Sequence, residues 1–85
     1  MKLSVIIPVF NENKTIVQLL SLVEKQIYIK KQIIIVDDFS SDNSLELIGR
    51  FKFESEHIIL KHDKNLGKGS CIKTAKKFVS GDIIL

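Results

Sequence analysis

Apolar positions alternate along this chain between short dense runs and helical stripes. Leu3 to Phe10 is β-rich and carries Pro8 near its end, where a residue without an N–H fits best. From Asn13 to Ile27 the apolar residues fall at 16, 19, 20, 23 and 27, which is one stripe of a helix. Ile33 to Val36 is a short, unbroken apolar run, the signature of a strand covered on both faces. Asp42 to Phe53 reads as a second helix, with Leu45, Leu47, Ile48 and Phe51 as its apolar side. There, Asn43 and Glu46 have capping-box spacing. His57 to Leu60 forms a third strand. Leu66 to Val79 forms a third helix, with Cys71, Ile72, Ala75, Phe78 and Val79 inward and Lys73, Lys76 and Lys77 outward. Gly81 breaks it, and Asp82 to Leu85 opens a fourth strand. The order βαβαβαβ predicts an α/β fold with a parallel sheet and right-handed crossovers.

With 85 residues the chain suits one small domain, and a buried strand is an unusual place for a domain to close. We therefore expect residues 1–85 to be a single truncated domain, part of a larger one. The composition, 45% hydrophobic and 27% charged, excludes disorder. Cys71 is the one cysteine, so no internal disulfide can form, and we read it as a small buried hydrophobe. The net charge of +3 lies wholly in residues 51–85, where seven lysines face four acids. That is too weak and mixed for a nucleic-acid partner; the plainer reading is a solvated lysine face, and local attraction for a phosphate-bearing ligand is the alternative. No apolar run approaches a membrane span, and the start of the chain lacks the cleavage site of a signal peptide, so the expected location is cytoplasmic.

Ligands of open parallel α/β sheets bind at the carboxyl ends of strands. Pro8, Phe10, Asn11 and Glu12 follow the first strand, Asp37, Asp38 and Ser40 the second, and "HDKNLGKGS", residues 62–70, the third. A carboxylate only accepts hydrogen bonds, which suits the ring N–H of a uracil or guanine or the hydroxyls of a ribose. One acid can face the ligand while its neighbour points into a loop, because successive residues of a strand face opposite ways. The competing role for Asp37 and Asp38 is to end the strand and cap the next helix. Gly67 and Gly69 allow close backbone approach, and Lys68 adds charge at a helix N-terminus, a setting for phosphate. The segment does not match the P-loop pattern, and a turn into a helix is the plainer reading. His57 and His62 stand at no metal-ligand spacing, so we read them as surface or strand-edge residues and expect no zinc.

Four segments in this order, "SVIIPVFNENKTI", "IIIVDDFSSDNS", "NLGKGSCIKTA" and "SGDIIL", resemble the start of a family 2 glycosyltransferase with the GT-A fold. They look most like polyprenyl-phosphate sugar transferases of the dolichol-phosphate mannosyltransferase type. The resemblance implies a three-layer, Rossmann-like nucleotide-diphospho-sugar transferase fold with sheet order 3-2-1-4. It implies a nucleotide-sugar site in which Pro8, Phe10 and Glu12 line the nucleotide pocket. In that site Asp38 contacts base or ribose with Asp37 in support, and Lys68, with Gly67 beside it, lies near base or phosphates. Phe10 replaces a frequent tyrosine, and Phe39 stands where glycine is frequent. The implied donor is UDP-glucose or GDP-mannose, the acceptor a polyprenyl phosphate or another molecule, and the cofactor Mg²⁺ or Mn²⁺. The D-x-D motif that would hold the ion follows the fourth strand in the family and lies outside these 85 residues, as does the acceptor half. The chain then carries neither a catalytic residue nor a metal ligand, and we expect it to be inactive or nearly so by itself. The full protein would act at the inner face of a membrane, and an open sheet edge would favour a homo-oligomer. Two other classes fit parts of the pattern: a non-catalytic nucleotide-binding or assembly module, and a receiver-like phosphoacceptor domain. The second is disfavoured because its acid pair follows the first strand, not the second.

Overall fold

The computed structural model describes residues 2–25 and 30–84, with the backbone alone for 82–84. Its elements are β1 (Lys2–Val9), α1 (Ile16–Glu24), β2 (Lys30–Asp37), α2 (Ser44–Arg50), β3 (Glu56–Lys61), α3 (Lys68–Lys76) and β4 (Asp82–Ile84). The sheet order is β3-β2-β1-β4, and every described pairing is parallel. Both expectations, the parallel α/β sheet and the order 3-2-1-4, are met.

Strand periodicity sorts the core into two layers. On one face Ile7, Val9, Ile33 and Ile35 pack with Ile16 and Leu20 of α1 and Ile48 of α2. On the other face Ile6, Ile34 and Val36 pack with Cys71 and Ala75 of α3. Ile33 through Val36 are completely buried, because β2 is covered by helices above and below. Each such side chain contributes roughly 1.5–3 kcal/mol of burial, which outweighs the weak propensities of the short helices.

The helices are shorter than the apolar stripes suggest. Leu19 and Phe78, read as inward-facing, are exposed. The capping box at Asn43 does not form. The Asn43 side chain accepts from Asn13 Nδ2 (2.9 Å), and Glu46 pairs with Arg50 instead. Asp42 serves the start of α2 in its place, accepting from the Ser44 N–H (2.9 Å). The apolar position at Ile27 and the strand residue Leu85 lie outside the described residues.

A polar cluster joins the end of α3 to the sheet. Gln32 Nε2 donates to the Phe78 carbonyl (2.9 Å), and Gln32 Oε1 accepts from Ser4 Oγ (2.9 Å) and Ser80 Oγ (3.0 Å). The Gly81 N–H donates to Ser4 Oγ (3.2 Å), so these buried groups are satisfied. Gly81 does more than end a helix. A Cβ at this position would fall on the Lys2 carbonyl, closer than real Cβ atoms come, at the point where β4 joins β1. Gly81→Ala should therefore force the β1–β4 junction apart and cost about 1–3 kcal/mol, as overpacking does. Urea unfolding of the variant checks this, and an unchanged midpoint contradicts it.

Candidate functional site

The parity of the strands decides where their last residues point. Asp37 continues the α1/α2 face of β2, and Asp38 continues the α3 face. Asp37 turns back on its own loop. Its Oδ2 accepts from the Ser40 N–H (3.0 Å) and its Oδ1 from Ser40 Oγ (2.6 Å). The turn so closed carries Phe39 at φ 63°, the left-handed region where glycine is unstrained. The loop after β1 locks onto this turn. Asn11, itself at φ 52°, accepts on Oδ1 from the N–H groups of Ser41 (2.7 Å) and Asp42 (3.2 Å). The Glu12 N–H donates to Ser44 Oγ (2.8 Å).

Asp38 serves the other side. Oδ1 accepts from His62 Nδ1 (2.7 Å) and the Leu66 N–H (2.9 Å), and Oδ2 accepts from the Gly67 N–H (2.8 Å). One carboxylate thus closes the whole turn from His62 to Gly67 and sets the start of α3. Gly67 sits at φ 93°, which a side chain would strain. Burial pushes the Asp38 carboxyl up, but the bonds from His62, Leu66 and Gly67 outweigh it and hold the group below the usual range. A carboxylate offers about four lone-pair positions, and three are taken, which leaves one on Oδ2.

Between the tips of β1 and β2 and the first turn of α3 lies a hollow of about 220 Å³, lined by Pro8, Val9, Phe10, Glu12, Asp38, Lys68 and Cys71. Five of the seven residues expected from sequence meet here: Pro8, Phe10, Glu12, Asp38 and Lys68. The other two, Asp37 and Gly67, are not in its wall. Asp37 is a loop clamp, and Gly67 a turn residue bonded to Asp38. Val9 and Cys71 complete the wall. The largest omission is His62, which is not a surface residue. Its side chain is only 8% exposed and bridges Asp38 to Thr74. Period-two continuation of β3 from Ile58 and Leu60 to His62 would have placed it on the α3 face.

Asp38, His62 and Cys71 bring donor atoms within 4.8 Å of one another, so they are the described group that could be asked to hold a metal. They do not fit one. Both ring nitrogens of His62 and both oxygens of Asp38 are already hydrogen-bonded. Burial pushes the Cys71 thiol up, with Asp38 and Asp37 adding to it, so the thiolate a metal needs is disfavoured. The burial of Asp37 and Asp38, with their oxygens engaged, equally disfavours a phosphoacceptor role. Among the described residues no helix is long and apolar enough to cross a membrane.

Known proteins resemble this chain in sequence and in fold. The sequence profile described as "Glycosyl transferase family 2" matches residues 4–85. Poly-beta-1,6-N-acetyl-D-glucosamine synthase of Staphylococcus aureus (strain COL) is 38% identical over 76 residues, covering 89% of this chain and 18% of that protein. The structure of S. aureus TarS 1–349 in complex with UDP-GlcNAc superposes with a TM-score of 0.89 at 28% identity, over 99% of this chain and 25% of that one. The mannosyltransferase PcManGT from Pyrobaculum calidifontis, in complex with GDP-Man and Mn²⁺, shares the fold. Its TM-score is 0.86 at 22% identity, over 92% of this chain and 24% of that one. The chain spans less than a third of the length of each of these proteins. A profile match over nearly every residue, and a superposition that carries the whole sheet, establish that the chain belongs to glycosyl transferase family 2.

Proposed function

We propose that this chain forms the nucleotide-binding part of a glycosyltransferase whose donor is a nucleotide-diphosphate sugar, with UDP-N-acetylglucosamine the first candidate. The observation that carries this is that one hollow has Asp38 and Lys68 in its wall together with Pro8 and Phe10. Asp38 keeps one acceptor position, enough for one ring N–H of the base or one ribose hydroxyl. Its negative charge repels a phosphate, so the diphosphate belongs on the Lys68 side. There the first N–H groups of α3 have no partner within the helix, and the ammonium adds charge. Phe10, about half exposed, offers a ring face to the base. The N-acetylglucosamine in the name of the synthase and in the TarS complex supports this sugar over the glucose or mannose suggested by the dolichol-type resemblance. The acceptor is then a growing glycan or another acceptor more readily than a polyprenyl phosphate.

We further take residues 1–85 to be a binding half that does not transfer sugar unaided. The Mn²⁺ bound together with GDP-Man in the PcManGT structure supports a divalent ion in the full protein, and the group Asp38, His62 and Cys71 does not suit one. The alternative of a purely nucleotide-binding module is separated by a transfer assay on the full protein with Mn²⁺. Transfer of N-acetylglucosamine supports the enzyme, and binding with no transfer supports the module.

Calorimetric titration should show UDP and UDP-N-acetylglucosamine binding in preference to GDP. Lys68→Ala should weaken either by about tenfold, the loss of one charge-assisted contact. Preference for GDP would overturn the donor assignment, and no response to Lys68→Ala would overturn the site. Asp38→Asn puts an amide donor opposite N–H donors and should cost about 1–3 kcal/mol in urea unfolding. Because the folded Asp38 carboxyl is held low, its contribution is complete above the ordinary aspartate value of about 3.9 and disappears as pH falls through the folded value. Unfolding midpoints of the native protein should therefore hold steady down to that range and fall below it, with the Asn variant losing less over the same acid interval.

A further inference from the structure

The His62 ring lies at the joint between β3, β2 and α3. Its backbone N–H donates to the Asp37 carbonyl (2.8 Å), which carries the β2–β3 pairing one step beyond Asp37–Lys61. Its side chain then enters the α3 layer beside Asp38. A carboxylate cannot donate, so the 2.7 Å contact requires the proton on Nδ1. The opposite nitrogen, Nε2, meets Thr74 Oγ1 at 2.8 Å, on the second turn of α3. The imidazole thus ties the tip of β2 to a helix that begins with Lys68. Both ends of the turn from His62 to Gly67 bond the same carboxylate, so the turn is closed by a single group.

Without the Nδ1 donor, Oδ1 keeps only the Leu66 N–H, and the carboxylate can rotate about its Cβ–Cγ bond between the two backbone donors. Which oxygen offers its spare lone pair to the hollow would no longer be set. Nor would the position of Lys68, which follows directly on Gly67.

We propose that His62 is a positioning residue for nucleotide binding: its Nδ1–H orients the Asp38 carboxylate so that one acceptor faces the hollow and the Lys68 turn stays seated. This deepens the nucleotide-sugar reading of the site and rests on it for the ligand. Through Asp38 the residue acts on the ligand without touching it.

The two ends of the ring can be separated by substitution. In His62→Asn the amide nitrogen falls near the place of Nδ1, so Asp38 keeps its donor while Thr74 loses its partner. In His62→Gln the amide reaches toward Thr74 and Asp38 loses its donor. His62→Leu removes both. Amide hydrogen exchange at Leu66 and Gly67, measured without ligand, reads the clamp, UDP calorimetry reads the site, and a thermal melt checks folding. The expected result is exchange and UDP affinity within about threefold of native for Asn. Gln and Leu should lose affinity about tenfold and exchange correspondingly faster at both amides. If Leu fails to fold, the Asn–Gln comparison alone decides. Exchange at Gly67 equal in all variants, or Asn as impaired as Gln, would overturn the role of His62. The predicted exchange pattern in a protein that binds no UDP would leave the clamp established and instead refute the nucleotide reading.

Discussion

The Asp38 carboxylate is the group on which the site depends. It is nearly buried at the end of a strand, where a bare negative charge would be costly, and three donors from one turn make it tolerable. The dependence is mutual. The turn has no regular secondary structure between Lys61 and Lys68, and the carboxylate gives the Leu66 and Gly67 N–H groups a partner. The order of the residues follows from this. An acid must stand one step past the last ladder residue of β2 on the α3 face, and a glycine must accept φ 93° where the turn meets the helix.

The adjacent acids of β2 are explained by the same geometry. Two like charges in sequence would repel if they shared a site, but the pleat sends them to opposite layers. Asp37 fastens the loop that leads to α2, and Asp38 fastens the loop that leads to α3. Each offsets its desolvation locally, through hydroxyl and N–H donors of the loop it fastens. The hollow lies where the tips of β1 and β2 meet the first turns of α3, which these two loops hold in place.

Much of this was legible in the sequence because it rests on short-range rules. The unbroken run Ile33 to Val36 announced a central strand, and the alternation of elements announced the parallel sheet. The gathering of Pro8, Phe10, Glu12, Asp38 and Lys68 follows from their places after strands. What escaped depended on contacts between distant segments. Asn43 has the spacing of a cap, yet its side chain is taken by Asn13 from another loop. Leu19 and Phe78 fit their helical stripes but find no described layer to cover them. His62 lay two residues past the apolar part of its strand, and only the register with β2 brings it beside Asp38. Gly81 read as a helix breaker because the nearness of the Lys2 carbonyl is not encoded in local sequence.

The nucleotide site requires one cleft, formed by the ends of two strands and the start of a helix. Amide chemical-shift mapping during a titration with UDP-N-acetylglucosamine tests it most directly. The largest shifts should fall on Phe10, Glu12, Asp38, Gly67 and Lys68 together, with one saturation curve. Shifts confined to the outer face of α3 around Lys73 and Lys77, with those five amides unmoved, would contradict it.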